Sequence, residues 1–90
     1  MYQAHILISG KVQNVFYRAS CMEYAKGLGL KGWVRNNEDG SVEVLAQGEK
    51  IKINKLIEWC KQGPPQAKVE EVKISWEEAN GPFNGFVVLR

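Results

Sequence analysis

Histidine and cysteine are scarce in this sequence of 90 residues, which has one histidine and two cysteines. The histidine is His5, and Cys21 and Cys60 lie far apart without a CxxC motif. A structural metal site needs more ligands than these residues supply, so we predict that the protein binds no metal. Both cysteines fall in segments with helical spacing, which indicates small buried apolar side chains. A disulfide between them would require neighbouring helices, and a cytoplasmic location disfavours it.

Long apolar runs and a strong net charge are also absent. No run approaches the roughly 20 apolar residues that a membrane-spanning helix needs. Residues 1–8 have no basic segment and no long apolar stretch, so we expect no secretory signal and a cytoplasmic location. The 12 basic and 10 acidic residues give a formal net charge of +2. This charge is too small to favour bulk nucleic acid or a membrane surface, but it is compatible with a small anionic ligand.

Apolar residues recur with strand and helix periods along the whole chain. Alternation predicts strands over residues 4–9, 33–36, 42–48, 68–77 and 83–89. Helical spacing predicts one helix from about residue 18 to 29 and a second that contains Ile53, Leu56, Ile57 and Cys60 and ends at Gly63-Pro64-Pro65. Residues 1–90 are predicted to form one domain, because the chain is too short for a second core.

Up to the strand over 68–77, the predicted element order is β-α-β-β-α-β, with two helices on one face of an antiparallel sheet. This is the ferredoxin-like α+β fold. The strand over 83–89 follows this set. Right-handed crossovers place the first and third strands at the centre of the sheet. Because this fold has many functions, the fold alone does not predict one.

The segment from Gly10 to Arg18 joins the first strand to the first helix. Such a loop directs several backbone N–H groups to one point, where the helix dipole adds partial positive charge. Arg18 falls at the helix start, where its cation opposes the dipole but can hold an anion with two hydrogen bonds. An exposed arginine after an ordinary loop is the alternative interpretation. No GxxxxGK[ST] or GxGxxG motif is present, so neither ATP nor a dinucleotide is favoured.

Asn36 ends a short strand, just before a turn whose Asp39-Gly40 pair favours a tight hairpin. If that strand pairs beside the first strand, Asn36 lies near the loop of residues 11–18. An amide both donates and accepts hydrogen bonds, so Asn36 is a candidate for orienting a water molecule there. The alternative is that Asn36 and Asn37 serve only the turn.

Two segments resemble the signatures of a known family. Gly10-Lys11-Val12-Gln13-Asn14-Val15-Phe16-Tyr17-Arg18 is similar to the acylphosphatase pattern G-x-V-Q-G-V-x-[FY]-R, which precedes the first helix. The second signature of that family resembles Gly32-Trp33-Val34-Arg35-Asn36, followed by Gly40-Ser41-Val42 and Gly48. The segments occur in the expected order, and chain length and element order also match, so the resemblance covers essentially all of the chain.

The resemblance implies hydrolysis of the carboxyl-phosphate bond of acyl phosphates, without metal or other cofactor. It implies that Arg18 holds the phosphoryl group and that Asn36 orients the attacking water. The phosphate-binding loop that it implies comprises Gln13, Asn14, Val15, Phe16, Tyr17 and Arg18. The expected partners are a small acyl phosphate as substrate and inorganic phosphate as product and inhibitor, with no nucleic acid and no membrane. We expect a cytoplasmic monomer.

Asn14 departs from the family pattern, which usually has glycine at this position. Glycine suits a loop residue with positive φ or a close approach of backbone to phosphate. Asparagine tolerates the left-handed conformation better than most residues, so we expect the loop to survive. The exchange leaves a second interpretation, an acylphosphatase-like domain that binds or regulates without turnover.

A third interpretation is an RNA-recognition module, because those domains share this order of strands and helices. Lys31-Gly32-Trp33-Val34 resembles only the start of their base-stacking motif, and residues 36–39 break the pattern. The small net charge also disfavours this interpretation.

Overall fold

The computed structural model describes residues 1–79 and 81–89. The elements in chain order are β1 (Tyr2–Lys11), α1 (Tyr17–Gly27), β2 (Lys31–Asn36), β3 (Val42–Gly48), α2 (Lys50–Gln62), β4 (Lys68–Glu78) and β5 (Phe86–Val88). Every predicted helix and strand is present. The last strand is shorter than the predicted 83–89, because only three of its residues pair with β2.

The sheet has five strands in the order β4-β1-β3-β2-β5. The first four form the antiparallel core of a ferredoxin-like fold, with β1 and β3 inside it, as predicted. The expectation of a wholly antiparallel sheet is wrong at one edge, because β5 pairs parallel to β2 and makes the sheet mixed. This pairing covers a β2 edge that would otherwise expose unpaired N–H and C=O groups.

Both helices pack on one face of the sheet. Alternation in β1 directs Ala4, Ile6 and Ile8 toward them, and all three are fully buried. The buried residues of α1 recur every fourth position, at Tyr17, Cys21 and Ala25, and those of α2 are Ile53, Leu56, Ile57 and Cys60. The residues that helical spacing predicted for the second helix therefore form the core face of α2.

The two cysteines meet in this core. Cys21 on α1 and Cys60 on α2 are both buried and carry free thiols. A hydrogen bond between the thiols, together with burial, raises the pKa of Cys21 above its ordinary value. They therefore act as small apolar side chains between neighbouring helices.

Tyr17 fixes the start of α1 against the end of α2. Its hydroxyl donates a 2.7 Å hydrogen bond to the carbonyl oxygen of Cys60, and its ring centroid lies 5.2 Å from that of Trp59. Burial raises the pKa of the Tyr17 phenol far above its ordinary value. The position of the next residue, Arg18, is set by this buried anchor.

Gly10 and Gly32 occupy places where the backbone leaves no room for a side chain. Their φ angles are +124° and +138°. A Cβ atom would lie 2.2 Å from the carbonyl oxygen of Lys68 at Gly10 and 1.8 Å from that of Leu45 at Gly32. The glycine that begins each of the two sequence signatures is therefore required by the packing of the sheet.

The other face of the sheet carries a charged cluster. Glu43 is almost fully buried and accepts hydrogen bonds from Arg35 Nε and Nη2, at 3.0 and 2.8 Å, and pairs with His5 Nε2. Burial opposes the charge on Glu43, but the hydrogen bonds from Arg35 and His5 outweigh it and hold the pKa of the carboxyl below its ordinary value. The Arg35 guanidinium also lies 5.1 Å from the ring centroid of Trp33.

Candidate active site

The loop between β1 and α1 has two residues in the left-handed conformation. Asn14 has φ of 63° and Phe16 has φ of 65°. Asn14 therefore adopts the left-handed conformation that the glycine of the family pattern would suit. Between them, Val15 is only 3% exposed, so its side chain anchors the loop in the core while its two neighbours face outward.

The backbone amides of this loop are free. In the described part of the chain, no hydrogen bond is donated by the amides of residues 13–19, and the first one in the helix runs from Ser20 N to Phe16 O, at 3.1 Å. No side chain caps α1, and its first turn has no acidic residue. The loop and the helix start therefore present a set of unpaired donors, to which the helix dipole adds partial positive charge.

The Gln13 side chain connects the loop to the turn that follows β2. Its Nε2 donates to the carbonyl oxygens of Asn37, at 2.8 Å, and Ser41, at 3.0 Å. The side chain therefore holds the turn, and only the main chain of Gln13 belongs to the set of free amides. A sequence pattern does not reveal this contact, because its acceptors are backbone carbonyls more than 20 residues away.

Arg18 is the second residue of α1 and is half-buried at one wall of a pocket of about 610 Å³. Its Nη1 is 3.4 Å from the carbonyl oxygen of Leu89, which is a long hydrogen bond. Arg18 forms no ion pair with any carboxylate of residues 1–79 or 81–89. Most donors of its guanidinium are therefore available to an anion.

The turn after β2 is built without the side chain of Asn36. Its hydrogen bonds join Asn37 Nδ2 to Ser41 Oγ at 3.0 Å, and Asp39 Oδ1 to the Ser41 hydroxyl at 2.6 Å and amide at 3.0 Å. These bonds hold the pKa of Asp39 below its ordinary value. Asn36 instead lines the pocket, and its Oδ1 is buried and accepts no hydrogen bond from the described residues. An unpaired buried acceptor costs free energy unless a ligand or water satisfies it.

Asn36 reaches the loop by a route that the sequence did not suggest. Its strand, β2, is not adjacent to β1, because β3 lies between them. Both β1 and β2 run antiparallel to β3, so they are parallel to each other and end at the same edge of the sheet. That shared edge brings Asn36 to the pocket that Arg18 lines.

Five of the predicted site residues line this pocket: Asn14, Phe16, Tyr17, Arg18 and Asn36. Gln13 and Val15 do not line it, since one contacts the turn and the other is buried. The residues that the sequence reasoning missed are Val12, Ala19, Met22 and Val88. Helical spacing from Arg18 could have indicated Met22, whereas Val88 is brought in by the unexpected parallel pairing of β5.

In the part of the chain that the structure describes, no three His, Cys, Asp or Glu side chains form a group suited to a metal ion. None of the described helices has the length and apolar character to span a membrane.

Comparison with known families gives one match, over residues 4–88, to the sequence model of the acylphosphatase family. Among relatives, a protein of Acaryochloris marina named acylphosphatase is 55% identical over 84 residues, which are 93% of this chain and 89% of that protein. An acylphosphatase of a Roseiflexus species is 46% identical over 89 residues, which are 99% of this chain and 96% of that protein.

Solved structures agree with this match. The crystal structure of acylphosphatase from Bacillus subtilis superposes with a TM-score of 0.97 at 31% identity, and the match covers both chains completely. The structure of an acylphosphatase from Coxiella burnetii gives a TM-score of 0.87 at 44% identity, covering 97% of this chain and 90% of that one.

Proposed function

Because this chain belongs to the acylphosphatase family, we propose that Arg18 and the loop of residues 13–18 bind the phosphoryl group of its substrate and that Asn36 orients the attacking water. The protein is an acylphosphatase: it hydrolyses the carboxyl-phosphate bond of an acyl phosphate to a carboxylate and inorganic phosphate. One observation carries the assignment of the residues. The pocket contains an arginine that has no ion pair with the described residues, free loop amides and a buried amide oxygen that accepts no hydrogen bond from them.

The loop and Arg18 suit the equatorial oxygens of a phosphoryl group. In phosphoryl transfer, charge is spread over these oxygens in the transition state. The free amides at the start of α1 are fixed by the anchors Val15 and Tyr17, so they bind this charge without reorganising. The planar guanidinium of Arg18 adds two parallel charge-assisted hydrogen bonds.

Asn36 is suited to orient the water molecule that acts as the nucleophile. Its buried Oδ1 accepts a hydrogen bond from a water molecule and directs the water oxygen at phosphorus, in line with the departing carboxylate. The new phosphorus–oxygen bond forms as the bond to the carboxyl oxygen breaks, and the electron pair leaves with the carboxylate. No carboxylate or imidazole is among the described residues that line the pocket, so a phosphoryl oxygen takes the proton of the water.

The chemistry of the leaving group explains why catalysis needs few protein side chains. A carboxylate is a stable anion and needs no general acid. The phenol of Tyr17 is not a candidate acid, because it donates to Cys60 and burial raises its pKa. Positioning and charge stabilisation therefore account for the catalysis.

We further propose that residues 1–90 form one domain that acts as a cytoplasmic monomer and binds no nucleic acid. Arg18 and Asn36 line one pocket of a single chain, which supports a monomer as the acting form. The free thiols of Cys21 and Cys60 fit a reducing compartment. On the open sheet face, Arg35 is paired with Glu43 and is not free to bind phosphates.

The test is whether the purified protein hydrolyses benzoyl phosphate, which is measured by the release of inorganic phosphate. We expect turnover in EDTA at the rate seen without it, and inhibition by added inorganic phosphate. Loss of turnover in EDTA with recovery on adding magnesium or zinc would contradict the mechanism. Sedimentation of the active protein as a dimer would contradict the monomer.

A further inference from the structure

We infer that Phe16, Met22 and Val88 form an apolar wall that binds the acyl part of the substrate, so that the enzyme prefers acyl phosphates with an aromatic or bulky apolar acyl group. We call these three residues the acyl wall. The inference rests on the proposed function, because it takes the other end of the same pocket as the phosphoryl site.

Phe16 is the most unusual member of the acyl wall. Its neighbours Val15 and Tyr17 are 3% and 1% exposed, whereas Phe16 is 75% exposed at the mouth of the pocket. The left-handed backbone at this position turns its side chain out of the core. No ring of the described residues stacks on it. A large apolar side chain exposed beside a polar binding site is typical of a surface that a ligand covers.

Met22 and Val88 extend the apolar surface from two other elements. Met22 lies one helical turn after Arg18, so both side chains line the same face of α1. Val88 lies on β5, whose parallel pairing with β2 brings it to the pocket. The thioether of methionine is flexible and polarisable, which suits contact with aromatic rings. Three elements therefore converge on one apolar surface beside the guanidinium.

Charge and size favour an apolar acyl group over an anionic one. Among the described lining residues, Arg18 is the only charged side chain, and the phosphoryl group engages it. A second carboxylate on the acyl chain would have no cation of its own in the pocket. The pocket volume of about 610 Å³ is typical of small-molecule sites and exceeds what a phosphoryl group fills, so space remains for a ring.

The experiment compares kcat/KM for benzoyl phosphate and acetyl phosphate in the parent protein and in the variants Phe16→Ala and Met22→Ala. The readout is the ratio of kcat/KM for benzoyl phosphate to kcat/KM for acetyl phosphate. Loss of folded protein or distortion of the loop lowers both values, so its effect cancels in the ratio. We expect the preference for benzoyl phosphate to fall by about three- to tenfold in each variant. Ile51→Ala is the matched control, since Ile51 is 70% exposed on α2 and does not line this pocket. Its ratio should stay at the parent value.

Two results would overturn the acyl wall while leaving the proposed function intact. One is an unchanged ratio in both variants of a protein that hydrolyses both substrates. The other is a parent enzyme that prefers succinyl phosphate, whose acyl chain is anionic, to benzoyl phosphate. Absence of hydrolysis of every acyl phosphate by the folded parent protein would overturn the proposed function and the acyl wall together.

Discussion

The side-chain nitrogen Nε2 of Gln13 lies 2.8 Å from the carbonyl oxygen of Asn37 and donates a hydrogen bond to it. Gln13 begins the loop that carries the free amides, and Asn37 directly follows Asn36. The bond therefore couples the two halves of the pocket, and the second bond from Nε2, to the Ser41 carbonyl oxygen, fixes the angle of the side chain.

Replacing Gln13 should loosen both the loop before α1 and the turn after β2, because its side chain joins them. Gln13→Glu keeps the size of the side chain but loses the donor and places a charge against two carbonyl oxygens. We expect kcat to fall on the order of tenfold and the free energy of unfolding to fall by about 1 to 3 kcal/mol. Gln62→Glu, at an exposed position, is the control. A lower urea midpoint with parental kcat would mean that Gln13 only stabilises the fold.

Arg18→Ala should remove most turnover while the fold survives, because Arg18 has no ion pair in the described chain. Loss of a fixed donor to a developing charge costs about 2.7 to 4 kcal/mol, which is on the order of a hundredfold to a thousandfold in kcat. Inhibition by inorganic phosphate should weaken as well, and Arg18→Lys should recover only part of the rate. Lys26→Ala removes a cation from the last turn of the same helix as a control. Near-parental turnover and phosphate inhibition in Arg18→Ala would exclude the proposed anion site.

Asn36 and Asn37 offer a matched pair that separates catalysis from turn stability. Asn36→Ala should collapse kcat and leave phosphate inhibition and the urea midpoint almost unchanged. Asn36→Asp should fail too, because it places a negative charge beside an anionic substrate. Asn37→Ala removes the 3.0 Å bond to Ser41 Oγ, so it should lower the midpoint more than kcat. A lower urea midpoint with parental kcat in Asn36→Ala would assign Asn36 to the turn and exclude its catalytic role.

Asn14→Gly should be tolerated and turn over substrate at least as fast as the parent, because glycine adopts the observed φ of 63° without strain. Asn14→Val places a β-branched residue in the left-handed region, which costs about 1 to 2 kcal/mol and should distort the loop. The checks are kcat and thermal unfolding of both variants. A glycine variant much slower than the parent would show that the Asn14 side chain itself assists turnover.

Glu43→Gln should change how stability depends on pH. A carboxyl whose pKa is lowered by folding stabilises the protein above its unfolded pKa, near 4.5, and loses this effect as the pH falls through the folded value. We therefore expect a loss of about 1 to 3 kcal/mol in the variant at pH 7, which shrinks on acidification. Glu58→Gln, at a side chain that is 71% exposed, is the control. This account would be contradicted if the free energies of unfolding of parent and variant differed by the same amount at pH 7 and at pH 3.

The sequence was most informative where local chemistry determines structure. Ile53, Leu56 and Ile57 lie on one face of any helix that they form, so the core face of α2 was predictable from spacing. The glycine of the family pattern indicated where a left-handed residue can lie, and asparagine tolerates that conformation better than most residues. The parallel pairing of β5 was not predictable, since it depends on the free edge of β2, more than 50 residues earlier in the chain.

In the candidate site, too, local features were predictable and contacts between distant segments were not. The signature residues Arg18 and Asn36 were found from the sequence because they lie at the ends of regular elements. Phe16 was also predicted as a loop residue, but its left-handed conformation was missed because an aromatic residue gives no local signal for positive φ. The contacts of Gln13 and the proximity of Val88 were missed because both depend on packing between distant segments.

The contact between Arg18 and the carbonyl oxygen of Leu89 spans 71 positions in the chain. During synthesis, α1 emerges from the ribosome long before β5, and β1 must wait for β4 to complete its pairing. Folding of such long-range topologies is slow, because loop closure precedes most of the stabilising contacts. The wall of the pocket that β5 supplies is therefore among the last parts to form. Inorganic phosphate should protect the nascent chain from proteolysis only after β5 has left the ribosome, which makes ligand binding a reporter of completed folding.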